Sequence, residues 1–404
     1  MAAPPEPTRS VESVSSKRTE STAPAPSTAP SAASARATGG STQSRASSEP
    51  SIARDGFESP SLSEEGDELP WLSALTGGLT DASKKKPPYD EVWKSHREPF
   101  NDPATVKNRA ELEGRLTGKS EHTKGLLDLL ERDQLSDPRH LSYIDKIRSR
   151  LGPEKAEQAL GRLRDFYQKQ GNAEPNQQLM KDILHDLAIP SDINQKDKGT
   201  CTMTSVQMKW AIEDPDSYVR CLTELHTKGS TRMPDGSTLE RNDSHKKGTD
   251  DQRSLTVKYL SDSLMGSCTS LLSGHWGGYD STDKDADGRT SGEVLQALNR
   301  VFPNQGYTND TTVGSNRSTL IQYMEDDLAR GRTVTASVPG HKILVVGLDK
   351  SGADPQVILN TWGEQKKMSL SDFQKYIRAV ETVDDSGWDS RKTPAGQLTQ
   401  HGDR

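Results

Sequence analysis

Arg332 to Trp362 reads RTVTASVPGHKILVVGLDKSGADPQVILNTW. Three strand-like runs follow one another in it: RTVTASV, HKILVVGLD and PQVILNTW. Aliphatic and β-branched residues dominate each run, and Pro, Gly, Ser and Asp separate them. Runs this close in sequence pair antiparallel, because a parallel neighbour needs a long crossover. What lies before them is mostly helical in pattern. Helices first and a run of antiparallel strands after is the α+β order. SLSDFQKYIRAV closes the section as a helix, with Ser371 as the expected N-cap.

Working back, residues 101–190 carry four amphipathic helical patterns. TKGLLDLLERDQL sets Leu126, Leu127 and Leu130 on one face. HLSYIDKIRSRL does the same with Leu141, Ile144, Ile147 and Leu151. GPEKAEQALGRLRDFYQKQG opens with a Pro early in the helix and ends in Gly. NQQLMKDILHDLAIP gives Leu179, Ile183, Leu184 and Leu187, and Pro190 stops it. These predict a small helical subdomain ahead of a second section, 191–384, which mixes helices, polar loops and the strands.

Residues 1–100 differ. STAPAPSTAPSAASARATGGSTQS is typical of the first 68, a composition that cannot bury enough apolar surface to offset ordering entropy. A disordered leader and linker is expected there, interrupted by the short apolar island Leu69–Leu79. A flexible tail is expected over 385–404. The chain is only 30% hydrophobic over 404 residues, which supports a large unpacked share. A net charge of −7, spread along the chain, argues against a nucleic-acid binder. No run of 18 apolar residues exists, so no membrane span is expected. The N-terminus lacks an apolar core of the secretory kind.

Three cysteines, Cys201, Cys221 and Cys268, make no disulfide framework and fit either a reducing compartment or one reactive thiol with two bystanders. Cys201, in INQKDKGTCTMTSVQMKW, stands where a loop runs into a helix. Unpaired N–H groups and the partial positive charge there favour a thiolate. Gln195, six residues earlier, can aim its amide at an oxyanion, with the Cys201 N–H as second donor. His341 opens an apolar strand. Asn360 ends the next strand, so its Oδ1 is expected to accept from the His341 ring and orient it. Together these make a Cys–His–Asn set of nucleophile, base and orienter. Cys221 and Cys268 read as structural thiols. His275 and Trp276 are candidates for lining a cleft.

This arrangement resembles the papain-like cysteine peptidases. In that family a Gln stands a few residues before the catalytic Cys, as Asn194-Gln195 does before Cys201. The family's His begins H-x-x-x-x-V-G, and His341 is followed by Val346-Gly347. The family's third residue sits in N-S-W-G or N-T-W-G, here Asn360-Thr361-Trp362-Gly363. His341 lies 140 residues after Cys201, within the separation of about 130–150 of papain-type enzymes. The resemblance covers the chain from Ile193 to the 380s and implies a papain-like fold, preceded here by the disordered leader. It implies amide hydrolysis through a thiolate paired with His341, no cofactor, a protein or peptide substrate, and Trp362 as a lid over the Asn360–His341 bond with Gly363 in the turn. The chain departs from the family around the nucleophile, where Lys198-Gly199-Thr200-Cys201-Thr202 replaces Cys-Gly-Ser-Cys-Trp.

Papain-fold acyltransferases, transglutaminases and glutamine deamidases share the Cys and His but often carry Asp as the third residue, so Asn360 favours a peptidase. A non-catalytic interaction protein has no need of all four of Cys201, His341, Asn360 and Gln195. The Ser-rich leader without a secretory signal resembles those of bacterial effectors exported into a host cell by specialised systems, and its composition equally suits a plain cytoplasmic linker or an autocleaved leader; a cytosolic setting suits the free thiol in each case. One further motif, DSTDKDADGRTSGEVLQAL, spaces Asp283, Asp285 and Asp287 like a calcium loop. Position twelve from Asp283 is Val294, with Glu293 one short. The expected reading is an acidic loop without metal, leading into a helix near Ser291.

Overall fold

Ser230–Arg232 (β1) and Thr238–Glu240 (β2) form a small hairpin, and six further strands form the main sheet. They are Tyr307–Thr311 (β3), Val334–Val338 (β4), His341–Asp349 (β5), Gln356–Thr361 (β6), Glu364–Ser369 (β7) and Ala379–Val383 (β8). Their order is β3-β8-β4-β5-β6-β7, and every pairing is antiparallel. The three runs of Arg332–Trp362 are β4, β5 and β6, side by side as expected. The last strand, β8, inserts between β3 and β4.

These elements come from a computed structural model. It describes residues 106–384 except 117, 119, 197, 248–251, 269–277, 283–287 and 313. All described residues belong to one compact unit of the chain, 65–404. The leader, the Leu69–Leu79 island, the tail, His275, Trp276 and the calcium-loop candidates Asp283, Asp285 and Asp287 lie outside the described residues.

The helices before the sheet are Arg109–Arg115 (α1), Glu121–Arg132 (α2), Pro138–Leu151 (α3), Pro153–Gln170 (α4) and Glu174–Ala188 (α5). The leucines spaced for helical faces are the buried ones: Leu126, Leu127 and Leu130 in α2, Leu179, Ile183, Leu184 and Leu187 in α5. Pro153 at the start of α4 and Gly171 beyond its end, at φ 78°, punctuate it as the sequence implies. The first helix, α1, is additional to the four read from sequence; its seven residues bury only Leu112.

Cys201–Glu213 (α6) and Pro215–Lys228 (α7) follow, then Leu255–Ser267 (α8) and Ser291–Val301 (α9). The capping box Thr290/Glu293 starts α9 where it was expected. Arg317–Ala329 (α10) precedes β4, and Leu370–Tyr376 (α11) separates β7 from β8. Ser369, not Ser371, caps α11, since its hydroxyl accepts from the Asp372 N–H.

The sheet is buried on both faces. Ile343, Val345, Val357 and Leu359 pack beneath α10 and α11 with Leu320, Met324 and Phe373. Leu344, Val346 and Ile358 face the other way, into a core shared with α2–α9. That second core is continuous from Leu126 in α2 to Val301 in α9, so the helical segment and the section after it share one interior. The period-2 alternation of strands sorts the β5 side chains between the two layers. Among the described residues no helix is long and apolar enough to cross a membrane.

Candidate active site

Helix α6 carries Cys201 as its first residue and is buried almost all round, from Thr202 to Ile212. It packs on β5. Its far end is anchored by a fully buried Lys209, whose Nζ reaches Glu213 at 2.7 Å and the Thr333 carbonyl at the start of β4. Glu213 in turn accepts from the Thr333 N–H at 2.7 Å. Cys201 itself is half-buried. Burial pushes its thiol up, while the peptide N–H of Lys342 and the Lys342 charge pull the other way, joined by the N–H groups of Thr202 and Cys201 at the helix start. The sulfur therefore lies against the peptide of the residue that follows His341. Cys221 and Cys268 are fully buried, and burial pushes Cys221 up to about 12. Both are packed thiols.

His341 begins β5 and is 7% exposed. Its Nε2 is hydrogen-bonded to Thr361 Oγ1 at 2.7 Å. Its ring stacks on Trp362, with centroids 3.9 Å apart and planes 10° from parallel. Burial lowers the His341 pKa to about 3, and the charge of Lys366 adds to this. Lys366 lies over the other aromatic partner, its Nζ 5.2 Å from the Trp362 ring centre. The ring is thus neutral at pH 7, and the Cys201 shift has the same consequence. Both shifts favour the neutral thiol and imidazole over the ion pair the resemblance implies.

Asn360 is not bonded to His341, contrary to the sequence expectation. Its Oδ1 accepts from Gln365 Nε2 at 3.2 Å, across the β6–β7 hairpin. Strand register is the reason. Asn360 pairs with Leu344, and His341 pairs with Val338. His341 and Leu344 are three residues apart, so their side chains leave opposite faces of β5. Asn360 shares the Leu344 face. Thr361, one residue on, shares the His341 face and takes the bond. Motif reading passed over Thr361, and only the parity between β5 and β6 exposes it. Trp362 likewise lies on the imidazole itself rather than over an Asn–His bond.

The turn that ends β6 is built for this. Thr361 pairs with Glu364, leaving Trp362 and Gly363 as a two-residue loop at φ 49° and 72°. Positive φ at both positions is the primed turn that suits the twist of a hairpin. Gly363 is needed for a second reason: a Cβ there would collide with the Asn194 side-chain amide. Asn194 closes the loop before Cys201 onto this turn. Its Nδ2 donates to the Trp362 carbonyl at 2.9 Å, and its Oδ1 accepts from the Lys196 N–H at 2.7 Å. Gln195, 8% exposed, donates from Nε2 to the Lys198 carbonyl at 2.9 Å. Its amide is engaged within its own loop rather than held free as an oxyanion donor.

One end of the sheet thus holds His341, Thr361, Trp362, Gly363 and Asn194 together, with Cys201 against the Lys342 peptide; no hydrogen bond joins Cys201 to His341, whose side chain leaves β5 on the face opposite Leu344. Gln195 Nε2 and Asn360 Oδ1 are committed elsewhere, to the Lys198 carbonyl and to Gln365. Among the described residues no three metal-ligating side chains cluster. Comparison with family models, with curated proteins and with solved structures gives no match.

Proposed function

We propose that the chain is a papain-like cysteine peptidase acting on a protein or peptide. The observation that carries this reading is the meeting of Cys201, first residue of a buried helix, with the peptide N–H of Lys342, next to His341. A nucleophile on a helix start and a base on the adjoining strand end are the two parts that thiol acyl transfer needs. An antiparallel sheet with the helix laid across β5 is the platform the family resemblance leads one to expect.

The neutral pair sets the sequence of events. The Cys201 sulfur attacks the carbonyl carbon as its proton passes to His341 Nδ1, the ring nitrogen not held by Thr361, once the ring swings toward the sulfur. The oxyanion takes the Cys201 N–H at the helix start, and Gln195 joins it once its amide leaves the Lys198 carbonyl. The C–N bond breaks as His341 returns the proton to the leaving amine. Water then attacks the acyl-enzyme with His341 as base and frees the thiol. Thr361 holds the ring from one edge and Trp362 from one face.

The test is direct. Treat the protein with an epoxide-type thiol inhibitor and map the adduct by mass spectrometry. Labelling of Cys201, lost in Cys201→Ala, is expected. Preference for Cys221 or Cys268 would remove the nucleophile assignment. A peptide library should be cleaved by the wild type and not by Cys201→Ala; ammonia release or acyl transfer without cleavage would replace hydrolysis by those activities.

A further inference from the structure

Helix α6 poses a packing problem. A helix buried on one stripe is held in rotation by its own amphipathicity. With every residue from Thr202 to Ile212 buried, α6 has no solvent face to define its rotation. Yet that rotation decides where the Cys201 side chain points.

A line of polar side chains runs along one side of α6. Thr200, Thr204 and Gln207 stand at helical spacing, each at most 2% exposed. Thr200 Oγ1 is 3.4 Å from Thr204 Oγ1, which is 3.3 Å from Ser261 Oγ on α8. Ser261 donates to Gln207 Oε1 at 2.7 Å. Gln207 Nε2 donates to Tyr218 Oη on α7 at 2.9 Å, and Tyr218 donates to Asp186 Oδ2 on α5 at 2.7 Å. Ser261, Tyr218 and Asp186 are also buried. Each hydroxyl has one proton. Because Ser261 gives its proton to Gln207, it accepts from Thr204, which in turn accepts from Thr200. All donors therefore point one way, toward a single carboxyl group. The chain is tight at Asp186 and longer at the Thr200 end.

Such a chain is costly to bury unless every member is satisfied, and when satisfied it specifies one arrangement. Thr200 does not cap α6 with its side chain, so its hydroxyl is left to this line. We propose that the buried chain from Asp186 through Tyr218, Gln207, Ser261 and Thr204 to Thr200 fixes the rotation of α6 and so positions the Cys201 thiol. These are positioning residues, and the inference rests on Cys201 being the nucleophile.

The experiment compares Thr204→Val, isosteric and without the hydroxyl, with Thr204→Ser, which keeps it. The double variant Thr204→Val/Ser261→Ala removes both partners of one link, and with them the links to Thr200 and Gln207 on either side. Iodoacetamide labelling of Cys201 in the full chain is followed by mass spectrometry at pH 8, with Cys221 and Cys268 as internal reporters of unfolding. Thr204→Val and the double variant should label Cys201 at least about fivefold more slowly than wild type. Thr204→Ser should keep the wild-type rate, and the two buried cysteines should stay unlabelled throughout. Equal rates in Thr204→Val, Thr204→Ser and wild type would overturn the proposal. So would slow labelling of Thr204→Ser. Should Thr204→Val expose Cys221, the double variant decides by the same rates. Wild-type Cys201 that labels no faster than Cys221 would instead overturn the nucleophile reading. The chain is then judged by amide exchange at Thr202–Thr204, faster in Thr204→Val than in Thr204→Ser if the chain fixes the helix and equal if it does not.

Discussion

His341 Nε2 meets Thr361 Oγ1 at 2.7 Å, while Asn360, one residue earlier, leaves the opposite face of the same strand. A hydroxyl thus stands where the motif suggests an amide. Losing one neutral hydrogen bond of this kind amounts to about 1 kcal/mol, roughly a fivefold change in rate. Thr361→Val is therefore expected to lower turnover on a cleaved peptide about fivefold with little change in KM. Asn360→Ala should weaken activity less, through the hairpin it braces. A larger loss in Asn360→Ala than in Thr361→Val would return the orienting role to Asn360.

The protonation states give a pH signature. The His341 pKa is lowered to about 3, so between pH 4 and 8 no imidazolium is present to hold a thiolate. The Cys201 thiol is raised by burial, so its thiolate fraction grows only toward alkaline pH. Cys201 alkylation in the free protein should rise steadily from pH 6 to 9 with no acid plateau. A rate already level from pH 4 upward would mean a preformed ion pair.

Helix α5 makes stability depend on pH. Burial raises Asp186 to about 7, and burial also raises Asp182. His185, between them, is raised too: burial opposes the charge, but the Asp192 bond and the nearby carboxylates outweigh it. Folded pKa values above the unfolded ones mean that the folded chain binds more protons. Asp186 therefore contributes stability below pH 4 that is lost as pH rises toward 7. The change is on the order of 4 kcal/mol for such a shift. Asp186→Asn should flatten this dependence, raising Tm relative to wild type more at pH 8 than at pH 5. Thr256 and Tyr218, the side chains bonded to Asp186, are uncharged in this range and do not alter the sign. Equal Tm differences at both pH values would show that Asp186 is ionised throughout.

Gly363 and Asn194 form one joint. Gly363→Ala drives a Cβ into the Asn194 side-chain amide in a left-handed backbone conformation. The backbone alone disfavours this by about 1–2 kcal/mol, and the clash adds to it. Asn194→Ala should destabilise by about 1 kcal/mol through its bonds to Trp362 and Lys196. Urea denaturation of the double variant should show less than the sum of the single effects, because the alanine at 194 relieves the clash. Simple additivity would mean that the two residues do not press on each other.

Local chemistry was legible from the chain alone. The Leu spacing of α2 and α5, Pro153 and Gly171 around α4, and the start of α9 near Ser291 rest on residues close to one another in the chain. The three runs of Arg332–Trp362 were legible because β-branched and aliphatic stretches broken by Pro and Gly have one simple reading. Cys201 at a helix start and His341 at a strand start were readable for the same reason. Two things were not. The partner of His341 depends on which residue of β6 lies opposite which residue of β5, and one step of register exchanges the two faces. The polar line under α6 is invisible in sequence, because Ser261, Tyr218 and Asp186 reach it from three other helices. Sequence by itself determined the elements and the residue types at their ends, through short-range sterics and hydrogen bonding. Only the tertiary structure decided which side chains face one another, because strand register and helix rotation are set by contacts between residues far apart in the chain.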